Sequence, residues 1–557
     1  MTLLRIQRFL LLFAWTIVTG GASAQSYSLS GSVFAYQPTQ PLPWVPRARG
    51  SAGDWDGDGV PDFAVHYSGN FVWSPGLTRI YSGFDYGTIR EWWGASLPSV
   101  FGVENPGAGA DFSDVDGDGV PEILLGTPES PGVSLNLIGR VDVISHLSPV
   151  PLYTVWGEGP GDYFGAWITA VGDTSGNGVD DFLVYAESAD APGQVNVGAI
   201  YLIEGADGSV RYKFLGTYPC EFCGRPTAAM GDLDGDGLGD FSIARGLWNN
   251  GHGKVTIYSG LAPPTIIREH LGTHPGWYYG SGAVFSLGDA DADLVPDYVI
   301  SAWVWGGGYA ASPGQAWLYS GATGSTIATY VGPPGTAGLG NWGDRLDDVD
   351  GDGAPDVVLQ AATSPYPSGP GQVQAFSGLS GSIFQIIDNP AVFIPPPPAW
   401  PPGNFGYGLH SVGDLDGDGR SDFVAGRQPG PLLVFTHDIV TVSPNPVPLG
   451  STAAFDFSVP AQPGALFHLL FAFSSNTGIP IGTRTFPLDL DLLLLRSLEN
   501  PALGGLLDAA GAATVQIPVP VDPALSGLQL KFAGVTFSPS SSFGVRTIGS
   551  AMSVSIQ

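Results

Sequence analysis

Asp54-Trp-Asp-Gly-Asp-Gly-Val-Pro-Asp62 places three carboxylates at alternate positions, a glycine at the sixth and a fourth carboxylate at the ninth. The pattern restarts at Asp114, Asp173, Asp232, Asp289, Asp348 and Asp414, at intervals of 60, 59, 59, 57, 59 and 66 residues. Self-similarity at a fixed period marks a repeat architecture, each repeat one supersecondary unit that buries its apolar faces on its neighbours. The last interval is long because Ile394-Pro-Pro-Pro-Pro-Ala-Trp-Pro-Pro402 is inserted in it, a stiff extended stretch suited to a loop.

The surroundings of the nine residues recur as well. An aromatic-glycine pair precedes them at Phe164-Gly165, Tyr279-Gly280, Trp342-Gly343 and Phe405-Gly406, and a short apolar strand follows, as in Asp62-Phe-Ala-Val65, Asp181-Phe-Leu-Val184 and Asp356-Val-Val-Leu359. A second strand ends in aromatic-Ser-Gly at Tyr81, Tyr258, Tyr319 and Phe376. With one more strand, each unit becomes a four-stranded antiparallel sheet, longer than the roughly 40 to 45 residues of a WD-type blade.

These residues resemble the FG-GAP repeats of integrin α-subunits and the related VCBS repeats of secreted bacterial proteins, over roughly residues 26–437. The resemblance implies a seven-bladed β-propeller with calcium in the hairpin between the first two strands of each blade. Ring closure has its own signal: after Asp422 the seventh unit supplies only two clear strands, and Ser28-Leu-Ser-Gly-Ser-Val-Phe34 reads like Ser377-Gly-Leu-Ser-Gly-Ser-Ile-Phe384 of the sixth. The N-terminus is therefore expected to complete the last blade and remove two exposed edges. From Asp438 the composition changes; Val442-Ser-Pro-Asn-Pro-Val-Pro448 reads as a linker, and alternating segments such as Ala454-Phe-Asp-Phe-Ser-Val459 and Thr514-Val-Gln-Ile-Pro-Val519 read as a small β-sandwich. The expected organisation is all-β: a signal peptide over 1–24, a seven-bladed propeller over 25–437, a linker over 438–448 and a C-terminal β-sandwich over 449–557.

The chemistry of the hairpins can be argued from the residues alone. Hard oxygen donors at this density suit Ca²⁺, which accepts six to eight oxygens, better than Zn²⁺, which favours His and Cys. An EF-hand opens in the same way but needs Glu at position 12; here that position holds Val65, Leu125, Val184, Ile243, Ile300, Leu359 or Ala425, all within strand patterns. The expected ligands are Asp54, Asp56, Asp58 and Asp62; Asp114, Asp116, Asp118 and Glu122; Asp173, Ser175, Asn177 and Asp181; Asp232, Asp234, Asp236 and Asp240; Asp289, Asp291, Asp293 and Asp297; Asp348, Asp350, Asp352 and Asp356; and Asp414, Asp416, Asp418 and Asp422. Up to seven Ca²⁺ sites follow. The third, with Ser175 and Asn177 in place of Asp, should bind most weakly, and the fifth carries Leu294 where glycine is expected, a costly residue at positive φ. The shells look full, so the ions read as structural rather than catalytic.

Composition agrees. Acidic residues outnumber basic ones 51 to 20, a net charge of −31 that disfavours nucleic acid and anionic membranes and favours cations. Glycine and proline fill 82 and 49 of 557 positions, which excludes long helical bundles, while 43% hydrophobic residues exclude disorder. Arg5 and Arg8, an apolar run from Phe9 to Val18 and Ala22-Ser23-Ala24 form a secretory signal pattern, making Gln25 the expected mature start, with no span after it and a secreted or cell-surface location.

Catalytic signatures are missing: the eight His are dispersed and neither His-Glu-x-x-His nor Gly-x-Ser-x-Gly occurs. Cys220-Glu-Phe-Cys223 stands where an aromatic-glycine pair is expected in the fourth unit and reads as two structural thiols or a local disulfide. Aromatic residues are the stronger functional signal. Trp73, Trp92, Trp93, Trp156, Trp248, Trp277, Trp303, Trp305, Tyr309, Trp342 and Trp400 fall in segments expected to connect strands or blades. Trp156, Trp277 and Trp342 are expected to wedge between blades, leaving Trp248, Trp303, Trp305 and Trp400 as candidate ligand anchors. The leading expectation is a calcium-binding propeller that recognises an extracellular protein or glycan in adhesion or surface interaction and is not an enzyme; the alternatives are a calcium-dependent lectin and a polysaccharide-active enzyme on a propeller scaffold.

Overall fold

The computed structural model describes residues 16–18, 27–33, 45–68, 77–84, 86–93, 110–128, 138–219, 221, 227–302, 314–332, 336–363, 371–389, 404–428, 432–437, 440–443, 445–459, 462, 464–472, 479–481, 484–486, 503–509, 511–519, 521, 523–537, 545–548 and 552–557. Seven antiparallel sheets follow one another between Tyr27 and His437 as the blades of a propeller. Blade one consists of Val45–Gly53, Asp62–Ser68, Leu77–Tyr81 and Thr88–Trp93, paired in that order. The first strands of blades two to seven are Ala110–Ser113, Phe164–Gly172, Thr227–Gly231, Tyr279–Gly288, Gly343–Leu346 and Asn404–Gly413. In blade six the first strand is split, Thr336–Ala337 and Gly343–Leu346 both pairing with Asp356–Thr363.

Burial explains the strand compositions. Second strands such as Glu122–Thr127, Asp181–Ala186 and Asp297–Ala302 are buried along their whole length, so both faces tolerate apolar side chains and the alternation of a half-exposed strand disappears. Fourth strands such as Thr88–Trp93 and Val210–Leu215 form the outer rim and alternate. The aromatic residues of the four aromatic-glycine pairs are all buried. At Gly165, with φ +91°, a Cβ would come within 2.8 Å of Arg140 O, so only glycine lets the first strand of blade three approach blade two.

The ring closes between chain ends. Tyr27–Val33 pairs antiparallel with Leu432–His437 and supplies the outer strand of blade seven. Tyr27 also grips the neighbouring blade, its N–H donating to Gln385 Oε1 and its carbonyl accepting from Gln385 Nε2, both at 2.7 Å, while its hydroxyl donates to Ser421 O of its own blade at 2.6 Å.

Beyond the ring, Thr452–Ser458 and Ala512–Pro518 form one sheet and Leu466–Ala472 and Gln529–Phe537 the centre of another. Their facing sides share a core of Phe455, Phe457, Phe467, Phe471, Val515 and Phe532. The segment read as a linker is partly sheet, because Val440–Ser443 pairs with Ala454–Phe457. Thr16–Val18 pairs with Thr514–Gln516 at the edge of that sheet. No helix among the described residues is long and apolar enough to cross a membrane.

Candidate metal centre

Each of the seven acidic segments is the hairpin between the first and second strands of its blade. In hairpin one, Asp54 Oδ1 accepts the N–H groups of Gly57 and Asp58 at 2.8 and 3.0 Å, and Oδ2 accepts that of Gly59 at 2.8 Å. This curls the backbone so that donor oxygens of Asp54, Asp56 and Asp58 lie within 4.8 Å of one another. Equivalent clusters form from Asp114, Asp116 and Glu122, from Asp232, Asp234 and Asp240, and from Asp289, Asp291 and Asp297. The donors are all carboxylate oxygens, the chemistry a hard divalent cation such as Ca²⁺ takes.

The ninth residue does more than complete a shell. In every hairpin it is fully buried. One of its oxygens accepts the N–H of position two, from Trp55, Val115, Thr174, Leu233, Ala290, Val349 or Leu415, at 2.6 to 3.0 Å. In six hairpins the other oxygen accepts an N–H from beyond the third strand, as Asp62 does from Gly83 at 2.9 Å, or, in blade seven, from that strand's last residue, His437. The side chain of position two packs on the next blade: Trp55 joins Ile123 and Ile144 of blade two, and Leu415 joins Phe63 and Tyr81 of blade one. Hairpin, blade and neighbouring blade thus meet at the ninth residue, a coupling that the sequence reading, centred on metal ligands, missed. An apolar residue at position two of most of the loops was the available signal.

Burial, opposed by backbone N–H donors and reinforced by neighbouring carboxylates, raises these groups: Asp62, Glu122 and Asp356 to about 7 and Asp240 to about 6. In hairpin seven, burial with its neighbours' charge pushes Asp416 and Asp422 well above the usual carboxylate range and Asp414 to about 6. There Asp416, Asp418 and Asp422 are buried, and Gln462 of the C-terminal region donates to Gly417 O at 2.6 Å while accepting from Thr536 Oγ1 at 2.5 Å. Asp416 Oδ2 has no hydrogen-bond partner.

Hairpin three is built differently. Arg211 from the fourth strand of its blade contacts Asp181 Oδ2 at 3.0 Å, hydrogen-bonds Thr174 Oγ1 and lies 3.4 Å from Glu204 Oε2. Ser175 Oγ and Asn177 Nδ2 both donate to Glu204 Oε1. An internal guanidinium stands against the closing carboxylate, and Glu204, absent from the sequence reading, occupies the two neutral residues. Hairpin five keeps its fold with Leu294 at φ +72° and 90% exposed, and Ala292 adds a second residue at φ +63°. Leu294 N–H still donates to Asp289 Oδ2 at 2.9 Å.

Of the candidate ligand aromatics, Trp248 is half-buried in the connection between the second and third strands of blade four. Trp303, Trp305 and Trp400 lie outside the described residues, as do Trp73, Tyr309, Cys220 and Cys223. Trp342 is in the core between blades six and seven, and Trp277 packs against the core of blades four and five and stacks on His274 at 4.4 Å. Trp156 is a correction: it is 58% exposed at the end of the outer strand Tyr153–Trp156, beneath Arg140, because Val155 takes the inward position and the strand alternates. Trp92 and Trp93 are likewise on an outer strand and not in a connection.

No protein-family model matches the chain. Among curated proteins it is 27% identical over 209 residues to Integrin alpha-PS2 of Drosophila melanogaster, 25% identical over 209 residues to Integrin alpha-5 of Xenopus laevis and 27% identical over 248 residues to Integrin alpha-IIb of Homo sapiens. These matches cover 34, 35 and 41% of this chain and only 14, 19 and 23% of the relatives' own lengths. The likeness is thus to part of each protein, and it agrees with the succession of antiparallel sheets along the ring. The chain carries a β-propeller related to the FG-GAP-like propellers of integrin α subunits.

Proposed function

We propose that this chain is a secreted calcium-binding propeller that recognises an extracellular macromolecule, a protein or a glycan, and that calcium serves its architecture. The observation that carries the reading is the recurrence of one hairpin in which clustered carboxylates adjoin a buried ninth residue tied to the next blade. A cation there neutralises the cluster and strengthens the ring without entering any reaction. The integrin likeness supports a role in adhesion or surface interaction, and the net charge of −31 argues against nucleic acid. Residues 1–24 act as the secretory signal in this reading, and their removal takes Thr16–Val18 off the sheet edge.

The test is binding by residues 25–557, with millimolar Ca²⁺ and after chelation, to a broad glycan array and to extracellular protein extracts, with thermal unfolding followed in both states. Calcium-dependent capture with a large calcium-dependent rise in Tm supports the proposal. Glycan capture alone makes the chain a lectin and directs mutagenesis to Trp248. Unfolding indifferent to chelation would overturn the structural role of calcium.

A further inference from the structure

The turn after the third strand is glycine in five blades, and its N–H reaches the ninth-position carboxylate because nothing projects from it. A Cβ on Gly83, Gly321 or Gly378 would meet the carbonyl oxygen of Pro61, Pro296 or Pro355 at 1.9 to 2.0 Å. In blade two that residue is His146, and in blade seven the N–H comes from His437, the last residue of the third strand. Blade two is also where the ninth residue is Glu instead of Asp, and the two substitutions meet in space. His146 Nδ1 stands 3.7 Å from Asp118 Oδ2, and donor atoms of Asp118, Glu122 and His146 lie within 4.8 Å of one another.

Two atoms of this cluster are left over by the fold. Glu122 is fully buried and its Oε2 accepts the Val115 N–H at 2.9 Å, but Oε1, whose counterpart takes a backbone N–H in the six other hairpins, has no hydrogen-bond partner. His146 Nδ1 is buried and unpartnered too, 3.7 Å being beyond hydrogen-bond reach. The imidazole is nevertheless held in place. Arg90 donates to the carbonyls of Ser145, His146 and Ser148 at 2.8 to 3.1 Å, and the Trp55 ring stands edge-on to the imidazole at 6.4 Å. An unpartnered buried carboxylate oxygen and an unpartnered imidazole nitrogen on an anchored turn are donors arranged for a guest.

We propose that Asp118, Glu122 and His146 form a mixed nitrogen–oxygen site for a first-row divalent transition metal, so that hairpin two differs in metal from its siblings. Calcium takes oxygen donors, whereas imidazole with carboxylates suits zinc, cobalt and their neighbours. Two ligands about 2 Å from a tetrahedral metal stand roughly 3.3 Å apart, close to the separation of His146 from Asp118. Hairpin seven is the contrasting case: His437 Nδ1 lies 3.1 Å from Asp418 Oδ2 but faces the Arg420 guanidinium at 3.1 Å, and its N–H satisfies Asp422. The proposal stands whether or not the other hairpins hold calcium.

The test uses the full chain, stripped with chelator and titrated with Zn²⁺, then Co²⁺, in millimolar Ca²⁺. The expected result is one equivalent of Zn²⁺ retained against calcium, with Co²⁺ giving visible absorption bands of a nitrogen-containing site. His146→Gly restores the residue of five sibling turns, so it should fold; because it removes a ligand, it should weaken that equivalent by on the order of 100-fold or more, no less than the loss of an outer-shell partner costs. His274→Ala, which removes a histidine stacked on Trp277, should leave it intact. Zinc displaced by calcium from the unaltered chain, or retained undiminished by His146→Gly, would overturn the proposal. The calcium reading is scored separately, by the rise in Tm that Ca²⁺ alone produces.

Discussion

Hairpins one and three share a turn geometry and differ in the groups gathered on it. Hairpin one gathers donor oxygens of Asp54, Asp56 and Asp58 within 4.8 Å of one another, while hairpin three has Ser175 and Asn177 at two of those places and draws Arg211 onto Asp181. Both keep the opening aspartate's grip on the turn: Gly59 N–H donates to Asp54 Oδ2 at 2.8 Å and Gly178 N–H to Asp173 Oδ2 at 2.7 Å. The difference teaches that one turn geometry accommodates two charge arrangements: an internal guanidinium against the closing carboxylate in hairpin three and, in the calcium reading proposed above, an ion in hairpin one. Repetition preserved the shape and left the source of the charge free to change.

Removing divalent ions should separate the two kinds most sharply. At a thousandfold excess over Kd each occupied hairpin gains ~4 kcal/mol from its ion, so chelation should lower Tm steeply, and amide exchange should quicken at Asp54–Asp62 while Asp173–Asp181 changes little. Equal loosening of both would break the comparison. Next in size, Arg211→Ala should cost about 3 kcal/mol, since it strands the buried Asp181 carboxylate, and denaturant titration should find the same loss with and without calcium. A loss that calcium restores would mean that hairpin three binds the ion after all.

Proton binding supplies a third test. The buried carboxylates of Asp62, Glu122, Asp240 and Asp356 have folded-state values raised to about 6 to 7, above their unfolded ones, so the stability they lend the ion-free chain is complete below pH 4 and is lost as pH rises through 7. Chelated protein should melt at a lower temperature at pH 8 than at pH 5.5, and saturating calcium should reverse that order; a chelated chain more stable at pH 8 would refute it. The smallest effect concerns hairpin five, where Leu294→Gly should stabilise by about 1 kcal/mol by relieving a side chain at φ +72°, and Gly59→Ala in hairpin one, at φ +89°, should cost a similar amount. Denaturant midpoints with both ion states held fixed would measure the pair.

The blades and the closing strand were legible because they are written locally: nine residues set each hairpin, and the likeness of Ser28–Phe34 to Ser377–Phe384 marked the strand that joins distant ends. The partners that decide each hairpin's charge were not. Arg211 lies 30 residues from Asp181 and His146 lies 24 from Glu122, and only the sheet's return brings them back. Trp156 was misjudged because proximity to an aromatic-glycine pair says nothing of which way a four-residue outer strand points its side chains. Leu294 was read correctly as a residue at positive φ, since the position in the turn dictates the backbone whatever residue fills it.

Tyr27–Val33 pairs with a strand that leaves the ribosome some four hundred residues later. During synthesis the earliest strand of the ring must therefore wait, unpaired, until almost the whole propeller exists, and the growing chain carries an open seam until Leu432–His437 emerges. A truncation before residue 432 removes the strand that pairs with Tyr27–Val33 and leaves that seam permanently open, its edge available to any other strand. Completion is thus a single late event, and quality control that samples this seam could tell a finished molecule from an unfinished one.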